Sequence, residues 1–565
     1  MTAKSGPFNP GQALGEAVAL HRQGRLHEAE KIYARVLKAV PGHFDALNLL
    51  GAIKARQGQF GEAQRLFGAA VKADPRVPQG WSNLGQAYYA LKRPSEALAC
   101  FDKARALAPD DADILYQHAN ALLSLDRPRE ALAEFQAVLA RAPHHVEAHI
   151  NSGLARATLG PTEAALADFD AALMLLPNHP IAHFNRGGVL LQLARYADAV
   201  AANDRAIAAA PDHVGAWLNR GRALSQLRRF DEAIASYDEV LARRKDDANA
   251  HFNRALALLA IGRYRPGFEA YEWRWRRTGM PAQKSRGRSL WLGEYPLHRK
   301  TVLLHAEQGL GDTIQFARYV PLVAAGGASV VLEVQPELKS LMSGLDGAAQ
   351  VLSRGEAPPP FDVHCPLGSL PLAMKTEIES VPAAIPYLSV DPARLAPWPA
   401  RLEALPRPRI AIAWSGNPAH ENDSNRSIAF ERLAPLLSHP ASFVSIQHDV
   451  RDAEAVQLAA EKRVQHVGGT LADFGDTAAL LALCDLVITA DSAPAHLAGA
   501  LGRPVWVLVP FAPDWRWTLD GETTPWYPTA RLFRQTSPGD WDTVIAHVAA
   551  ALKSNPMWHG TGPRW

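Results

Sequence analysis

The sequence predicts an α-helical solenoid followed by a two-part parallel α/β region. Three observations predict it. Prolines, alanines and aromatics recur every 34 residues through the first half. Short apolar runs alternate with helical segments from residue 301 onward. A Pro-rich stretch, SVDPARLAPWPARLEALPRP at 389–408, divides those runs into two groups.

Composition bounds the answer. Of 565 residues, 48% are apolar and 21% charged, which excludes wholesale disorder. Lys plus Arg is 59 against 57 Asp plus Glu, a net charge of +2, so no global field draws the chain to nucleic acid or anionic membrane. The three cysteines, Cys100, Cys365 and Cys484, form no CxxC pair or zinc pattern and suggest a reducing compartment. The N-terminus lacks the apolar core of a secretory signal, and no run of about 18 apolar residues occurs. A soluble, cytoplasmic protein with no membrane insertion is expected.

The repeats come first. Pro41, Pro75, Pro109, Pro143, Pro177 and Pro211 are each 34 residues apart. Alanines keep the step from Ala29 to Ala233, as do aromatics at Tyr33, Phe67, Phe101, Phe135 and Phe169, with Asn203 interrupting before Tyr237. Small residues stand at Gly51, Gly85, Ala119, Gly153, Gly187 and Gly221. This is the grammar of a helix–turn–helix unit. The small residue lets two helices approach, and the alanine sits at their crossing. The aromatic fills the gap to the next unit, and proline ends the second helix. The pattern resembles the tetratricopeptide repeat. Seven units run from about residue 10 to 247, and a degraded eighth covers His251–Trp275. The expected superhelix therefore spans 1–275, with a concave binding face.

One further column bears on function. Asn83, Gln117, Asn151, Asn185, Asn219 and Asn253 recur at one position of the first helix, facing the groove in this kind of repeat. Each amide offers a donor and an acceptor to a peptide unit. The column resembles the asparagine ladder of protein O-GlcNAc transferases, which implies a polypeptide acceptor. Asn is also simply common at this position.

Residues 276–300 read as a connector. Six basic residues fall within Arg274–Arg288, and a solvated connector fits the balanced chain better than a nucleic-acid patch. The strands expected next are 301–306 and 329–334 in a unit at 301–395. After a linker at 396–408 come 409–416, 442–448, 464–469, 486–492 and 504–510 in a unit at 409–565. Apolar runs of this kind imply buried parallel strands, with ligands at their carboxyl ends.

Four motifs follow strands. In Glu307-Gln308-Gly309-Leu310-Gly311-Asp312 the glycines permit a tight turn and close ligand approach. No third glycine or Lys completes a dinucleotide or Walker loop. Asp312 opens a helix, where it could equally be a cap. In Trp414–Ile428, Ser415, Asn422 and Arg426 cluster after a strand, with Arg426 suited to phosphate or simply solvated. Asp491-Ser492-Ala493-Pro494-Ala495-His496 ends a strand and begins a helix whose N–H groups suit a diphosphate, though a capped helix with a core histidine reads the same. Finally, Pro510–Trp517 and Pro525–Pro528 carry tryptophans that could wall a sugar or base pocket or belong to the core.

Together these motifs look like the GT-B glycosyltransferases of the lipopolysaccharide heptosyltransferase family, family 9, fused to tetratricopeptide repeats. The resemblance covers roughly 300–545. It implies two Rossmann-like domains and inverting, metal-independent transfer, with Asp312 as general base and a nucleotide sugar as co-substrate. It assigns Arg426, Asp491, Ser492, Ala493 and His496 to the donor, and the motifs themselves add Gly309, Gly311, Ser415, Asn422, Gln447 and Trp515 as donor-binding candidates. Gln447 stands where the family often has a ribose-holding acid, which leaves the nucleotide open. The Asp-x-Asp triplets at 111–113, 168–170 and 540–542 end no expected strand, so no metal is expected. Flagellin is among the acceptors that relatives of this architecture suggest. A peptide-binding scaffold with a degenerate transferase half, and transfer to a lipid-linked glycan, remain the alternatives.

Overall fold

The computed structural model describes residues 8–277, 287–420 and 422–554. The chain forms two compact units, Met1–Ala223 and Leu224–Trp565. Among the described residues, sixteen α-helices, from Pro10–Arg22 to Tyr264–Tyr271, precede the first strand. The division at 223/224 falls earlier than the 275/276 boundary read from repeat spacing. The reason is packing: Tyr264 and Phe268 of the last repeat meet Trp515 edge-on at 5.8 and 5.5 Å.

In the first unit the repeats are helix pairs such as Pro78–Ala90 and Pro94–Leu107. The alanines Ala29, Ala63, Ala97, Ala131, Ala165 and Ala199 are 0% exposed, so any larger side chain at these crossings would push the helices apart. The aromatics take a place the spacing did not reveal. They pack over the small residue of their own first helix as well as in core clusters with the next unit, Tyr33 beside Leu50 and Phe101 beside Leu115. A Cβ built on Gly51, Gly85 or Gly153 would lie 2.7, 2.6 or 2.8 Å from Phe67, Phe101 or Phe169. Asn203 occupies the same place over Gly187 and donates from Nδ2 to Ala199 O at 2.8 Å. Gly85→Val is therefore expected to destabilise the first unit by about 1–3 kcal/mol through overpacking. Chemical denaturation measures it, and Phe101→Leu in the same chain should restore part of the loss.

Another 34-residue device ties the turns. Trp81 Nε1 donates to Pro75 O, His149 Nε2 to Pro143 O and His183 Nε2 to Pro177 O, at 2.8–2.9 Å. The proline that stops one helix thus has its carbonyl satisfied by a ring N–H on the next.

The second unit carries two parallel sheets. The first has β1 (Ser289–Leu290), β2 (Thr301–His305), β3 (Ser329–Val334), β4 (Ala348–Ser353) and β5 (Val363–Pro366), in the order β1-β5-β2-β3-β4. The second has β6 (Arg409–Ala413), β7 (Ser442–Ser445), β8 (Val464–His466), β9 (Leu486–Ala490), β10 (Val505–Val509) and β11 (Ala530–Arg534), ordered β11-β10-β9-β6-β7-β8. Every strand pairing among the described residues is parallel. Strand order reverses between β2 and β5 in one sheet and between β6 and β9 in the other. At such switch points the loops leaving neighbouring strands diverge and open a crevice. The stretch read as a connector supplies the edge strand β1, and Arg274, the first residue of the basic run, is buried, not solvated. Residues 278–286 of the basic run lie outside the described residues. No helix among the described residues is long and apolar enough to cross a membrane.

Candidate active site

The loops that leave β2, β6, β9 and β10 meet within the second unit. The turn after β2 leads into helix Leu310–Phe316, where Asp312 accepts from Gly309 N at 3.0 Å. Its other oxygen accepts from Arg516. This helix packs across Ala493–Ala500, which follows β9. The approach needs glycine at 311, because a Cβ there would stand 2.8 Å from His496 Cδ2 and 3.4 Å from Ala493 Cα. Gly309, Gly311, Asp312, Ala493 and His496 are thus brought together.

Arg426 reaches the same place. Its guanidinium lies over Gly416, 2.8 Å from where a Cβ would be, and Nη1 donates to Asp491 O at 3.3 Å. Asp491 is buried, and burial, reinforced by the Asp514 carboxylate, pushes its carboxyl up to about 6. Burial holds the His496 imidazole well below its usual value, with Arg516, Arg318 and Arg426 adding to the effect. His496 is therefore neutral near pH 7; its Nδ1 hydrogen-bonds Tyr527 Oη at 3.0 Å and its ring stacks on Trp517 at 5.3 Å. Ser492 caps the helix at an extended φ of −155° and hydrogen-bonds Ala490 O at 3.3 Å.

Three expected donor residues are placed differently. Gln447 is buried, and its amide is fully engaged on backbone. Oε1 accepts from Trp414 N and Ser415 N at 3.0 and 3.1 Å, while Nε2 donates to Ser415 O and Asp449 O at 3.1 and 3.2 Å. Two acceptances and two donations exhaust the side chain, so it braces the loop after β6 and has nothing left for a ribose. Trp515 is 4% exposed and packs into Tyr264, Phe268 and Trp526, so it is core and not a pocket wall. Asn422 accepts from Asn425 Nδ2 at 2.7 Å, a contact within its own loop. Ser415 is buried beside Gln447, its hydroxyl without a protein partner.

What the spacing missed is Arg516, Trp517 and Tyr527. Trp515–Trp517 is a single 3₁₀ turn, in which successive side chains point about 120° apart. Trp515 therefore enters the core, Arg516 meets Asp312, and Trp517 covers His496. Tyr527 packs on Gly499, where a Cβ would be 2.2 Å from its ring. The Trp-Arg-Trp order after a strand was the available signal.

Behind the glycine turn lies a buried charge cluster. Arg274 is 1% exposed and donates to Glu307 Oε1 at 3.1 Å, Ser369 Oγ at 2.7 Å and Glu272 Oε1 at 2.5 Å. One guanidinium faces two carboxylates, so burial prevails at Glu307 and pushes its carboxyl up to about 7, with Arg274 opposing. The folded value lies above the unfolded one near 4.5. The stability this group contributes is therefore full below pH 4.5 and is lost as pH rises through about 7. Glu307→Gln is expected to remove that segment of the pH dependence, read as the unfolding midpoint of the two chains across the interval.

In the first unit, the column Asn83, Gln117, Asn151, Asn185 and Asn219 is half-buried. Asn83 Nδ2 donates to Asn48 Oδ1 at 2.9 Å and Asn151 Nδ2 to Asn120 Oδ1 at 2.8 Å, so some amides already bind neighbouring helices. Asn253 stands half-buried in the second unit. Of the Asp-x-Asp triplets, Asp111 caps a helix, Asp168 pairs with Arg156 and Asp542 with Arg432.

Comparison with known proteins agrees with both halves. Residues 20–81, 53–112, 116–180, 162–214 and 218–265 match tetratricopeptide-repeat families. Residues 443–536, from β7 to just beyond β11, match glycosyltransferase family 9 (heptosyltransferase). The chain is similar to Protein FlbA of Caulobacter vibrioides, 31% identical over 313 residues, which is 51% of this chain and 52% of that protein. The match thus spans about half the length of that curated relative. Among solved structures it is similar to YrrB, a TPR protein with an unusual peptide-binding site, at 22% identity over 33% of this chain and 95% of that one, TM-score 0.30. It is also similar to TTC0263, a thermophilic TPR protein of Thermus thermophilus, at 27% identity over 32% of this chain and 100% of that one, TM-score 0.28. The chain therefore joins tetratricopeptide repeats to a glycosyltransferase family 9 (heptosyltransferase) domain.

Proposed function

We propose that this chain is an inverting protein O-glycosyltransferase of the GT-B type, moving a sugar from a nucleotide-sugar donor to Ser or Thr of a polypeptide held by the repeats. The observation that carries this reading is the convergence of Asp312, after the first sheet's β2, with Arg426, after β6, and with Asp491 and His496, after β9 in the family 9 match. In the reaction, an acceptor hydroxyl gives its proton to Asp312 while its oxygen attacks the anomeric carbon. The nucleotide diphosphate leaves from the opposite face toward the N–H groups of helix Ala493–Ala500 and the Arg426 guanidinium. These cationic and N–H groups take the developing charge, so transfer should survive EDTA. The amide column is the proposed grip on the acceptor backbone, with flagellin a candidate acceptor. A cytoplasmic setting fits three free, buried cysteines.

The test is a screen of UDP-, GDP-, ADP- and CMP-sugars for binding, by thermal shift, and for hydrolysis or transfer to protein. A diphosphate donor should shift the unfolding midpoint and turn over. One observation favours a second reading, a peptide-binding scaffold with a silent transferase half. Gln447 has no free polar atom for a ribose. That reading predicts peptide binding with no nucleotide-sugar shift.

A further inference from the structure

Arg516 is the most heavily engaged charge in the crevice. Nη2 donates to Asp312, Nε to Gln315, and Nη1 to Asp514 Oδ1 and Oδ2 at 2.9 and 3.0 Å. Its side chain is 8% exposed and lies over the Trp515 and Phe316 rings at 4.4 and 5.5 Å. Asp312 and Gln315 belong to the helix after β2, whereas Asp514 belongs to the loop after β10. The guanidinium thus crosses between the two sheet layers and is forked between two carboxylates.

Resting on the glycosyltransferase reading, we propose that Arg516 is a positioning residue: it fixes the Asp312 carboxylate and faces its charge, and Asp514 sets how much of that guanidinium Asp312 receives. Three acceptors on two loops fix the guanidinium plane, which a flexible ammonium could not reproduce. A fixed guanidinium fixes the Asp312 oxygen it binds, leaving the carboxylate's remaining lone pairs aimed into the crevice. Asp312 then presents one orientation to the acceptor hydroxyl. Asp514 balances the pair from the other side.

Other charged groups act on this pair. Asp491 and Glu307 are carboxyls raised by burial to about 6 and about 7, the first opposed by Arg426 and the second by Arg274. His496 is held neutral, and Arg318 adds positive charge beside it. Tyr271, Tyr264 and Tyr527 are buried phenols held above their usual range, and so stay neutral at the pH of the test. Arg516 also acts on His496 and Asp514 on Asp491, so the limb movements are attributed to Asp312 through the Asp312→Asn, Arg516→Gln comparison below.

The test is the pH dependence of kcat/KM for transfer by the full chain, using the donor found in the screen, for the native protein and three variants. Arg516→Gln removes a positive charge beside Asp312. Its acid limb should move up by about one to two units, a ten- to hundredfold loss on the acid side. Asp514→Asn removes a negative charge from the other side of Arg516, so its acid limb should move down. Arg516→Lys keeps the charge and loses the fork, so its limb should stay near the native position while kcat falls. Opposite limb movements in the first two support the proposal. Equal losses of activity in all three with an unmoved limb mean that Arg516 only holds the fold, and overturn it.

If no donor turns over, the glycosyltransferase reading fails, and a second measurement judges the pairing by itself. Unfolding midpoints of Asp312→Asn, Arg516→Gln and the double variant are compared from pH 4 to 8. Non-additive midpoints that become additive at the acid end support the pairing. Additive midpoints at every pH overturn it.

Discussion

Asp312→Asn is expected to lower the turnover of glycosyl transfer by about 10²–10⁴-fold while the chain stays folded. The substitution keeps the shape of the side chain and removes its basicity. In the native chain one carboxylate oxygen accepts from Gly309 N and the other from Arg516. An amide offers a single oxygen, so one of these contacts is lost, at about 1–3 kcal/mol of stability. That cost is local and separable by denaturation. The loss should fall on kcat, with donor KM nearly unchanged, because donor phosphate is assigned to Arg426 and the helix at Ala493–Ala500. Arg426→Gln should show the converse, a raised donor KM. Native turnover in Asp312→Asn would place the base elsewhere, and Asp491, with its carboxyl pushed up to about 6, is then the next acid to test.

Arg274→Met is expected to destabilise the second unit by about 3–5 kcal/mol. Methionine fills much of the volume and can still lie against Tyr271 and Trp275, which Arg274 covers at 4.9 and 4.7 Å. What it cannot do is neutralise Glu307 and Glu272, whose side chains are 5% and 18% exposed beside it. A buried carboxylate without its cation carries the full desolvation penalty. Adding Glu307→Gln to Arg274→Met should recover part of the loss, and the deficit of Arg274→Met should shrink as pH falls below about 7, where Glu307 protonates in the folded chain. Tryptophan fluorescence in a denaturant series reads both. A deficit that is unchanged at acid pH would mean the loss is one of packing and not of charge.

The parts of this protein that the residue order exposed are those with a period or a local geometric demand. The 34-residue step is visible because each repeat must solve the same packing problem, and Ala97 or Ala131 at 0% exposure has one acceptable answer. Buried strands such as β2, β6, β9 and β10 show as apolar runs because both faces are covered. The strands that escaped notice are three at sheet edges, β1, β4 and β11, and β5, which is only four residues long and ends in proline. Edge strands bury less, so β4 alternates only weakly and β11 carries Arg531 and Arg534.

The crevice divides the same way. Asp312, Asp491 and His496 were legible because a glycine turn after a strand, or a strand end running into a helix, states its own geometry within a few residues. Arg516 and Trp517 were not, because their partners Asp312 and His496 are distant in sequence and only the 3₁₀ turn at Trp515–Trp517 decides which side chain faces which. Gln447 was misread for a related reason: residue type gives its donors and acceptors, but only the fold shows that four backbone groups already use them. The sequence alone determined the repeats, the two parallel α/β halves and the place of Asp312, Asp491 and His496 at strand ends, since local sterics and burial on both faces fix those. The tertiary structure decided which charges pair, which tryptophan is core and which amide is engaged, since these depend on contacts between segments whose separation along the chain carries no period.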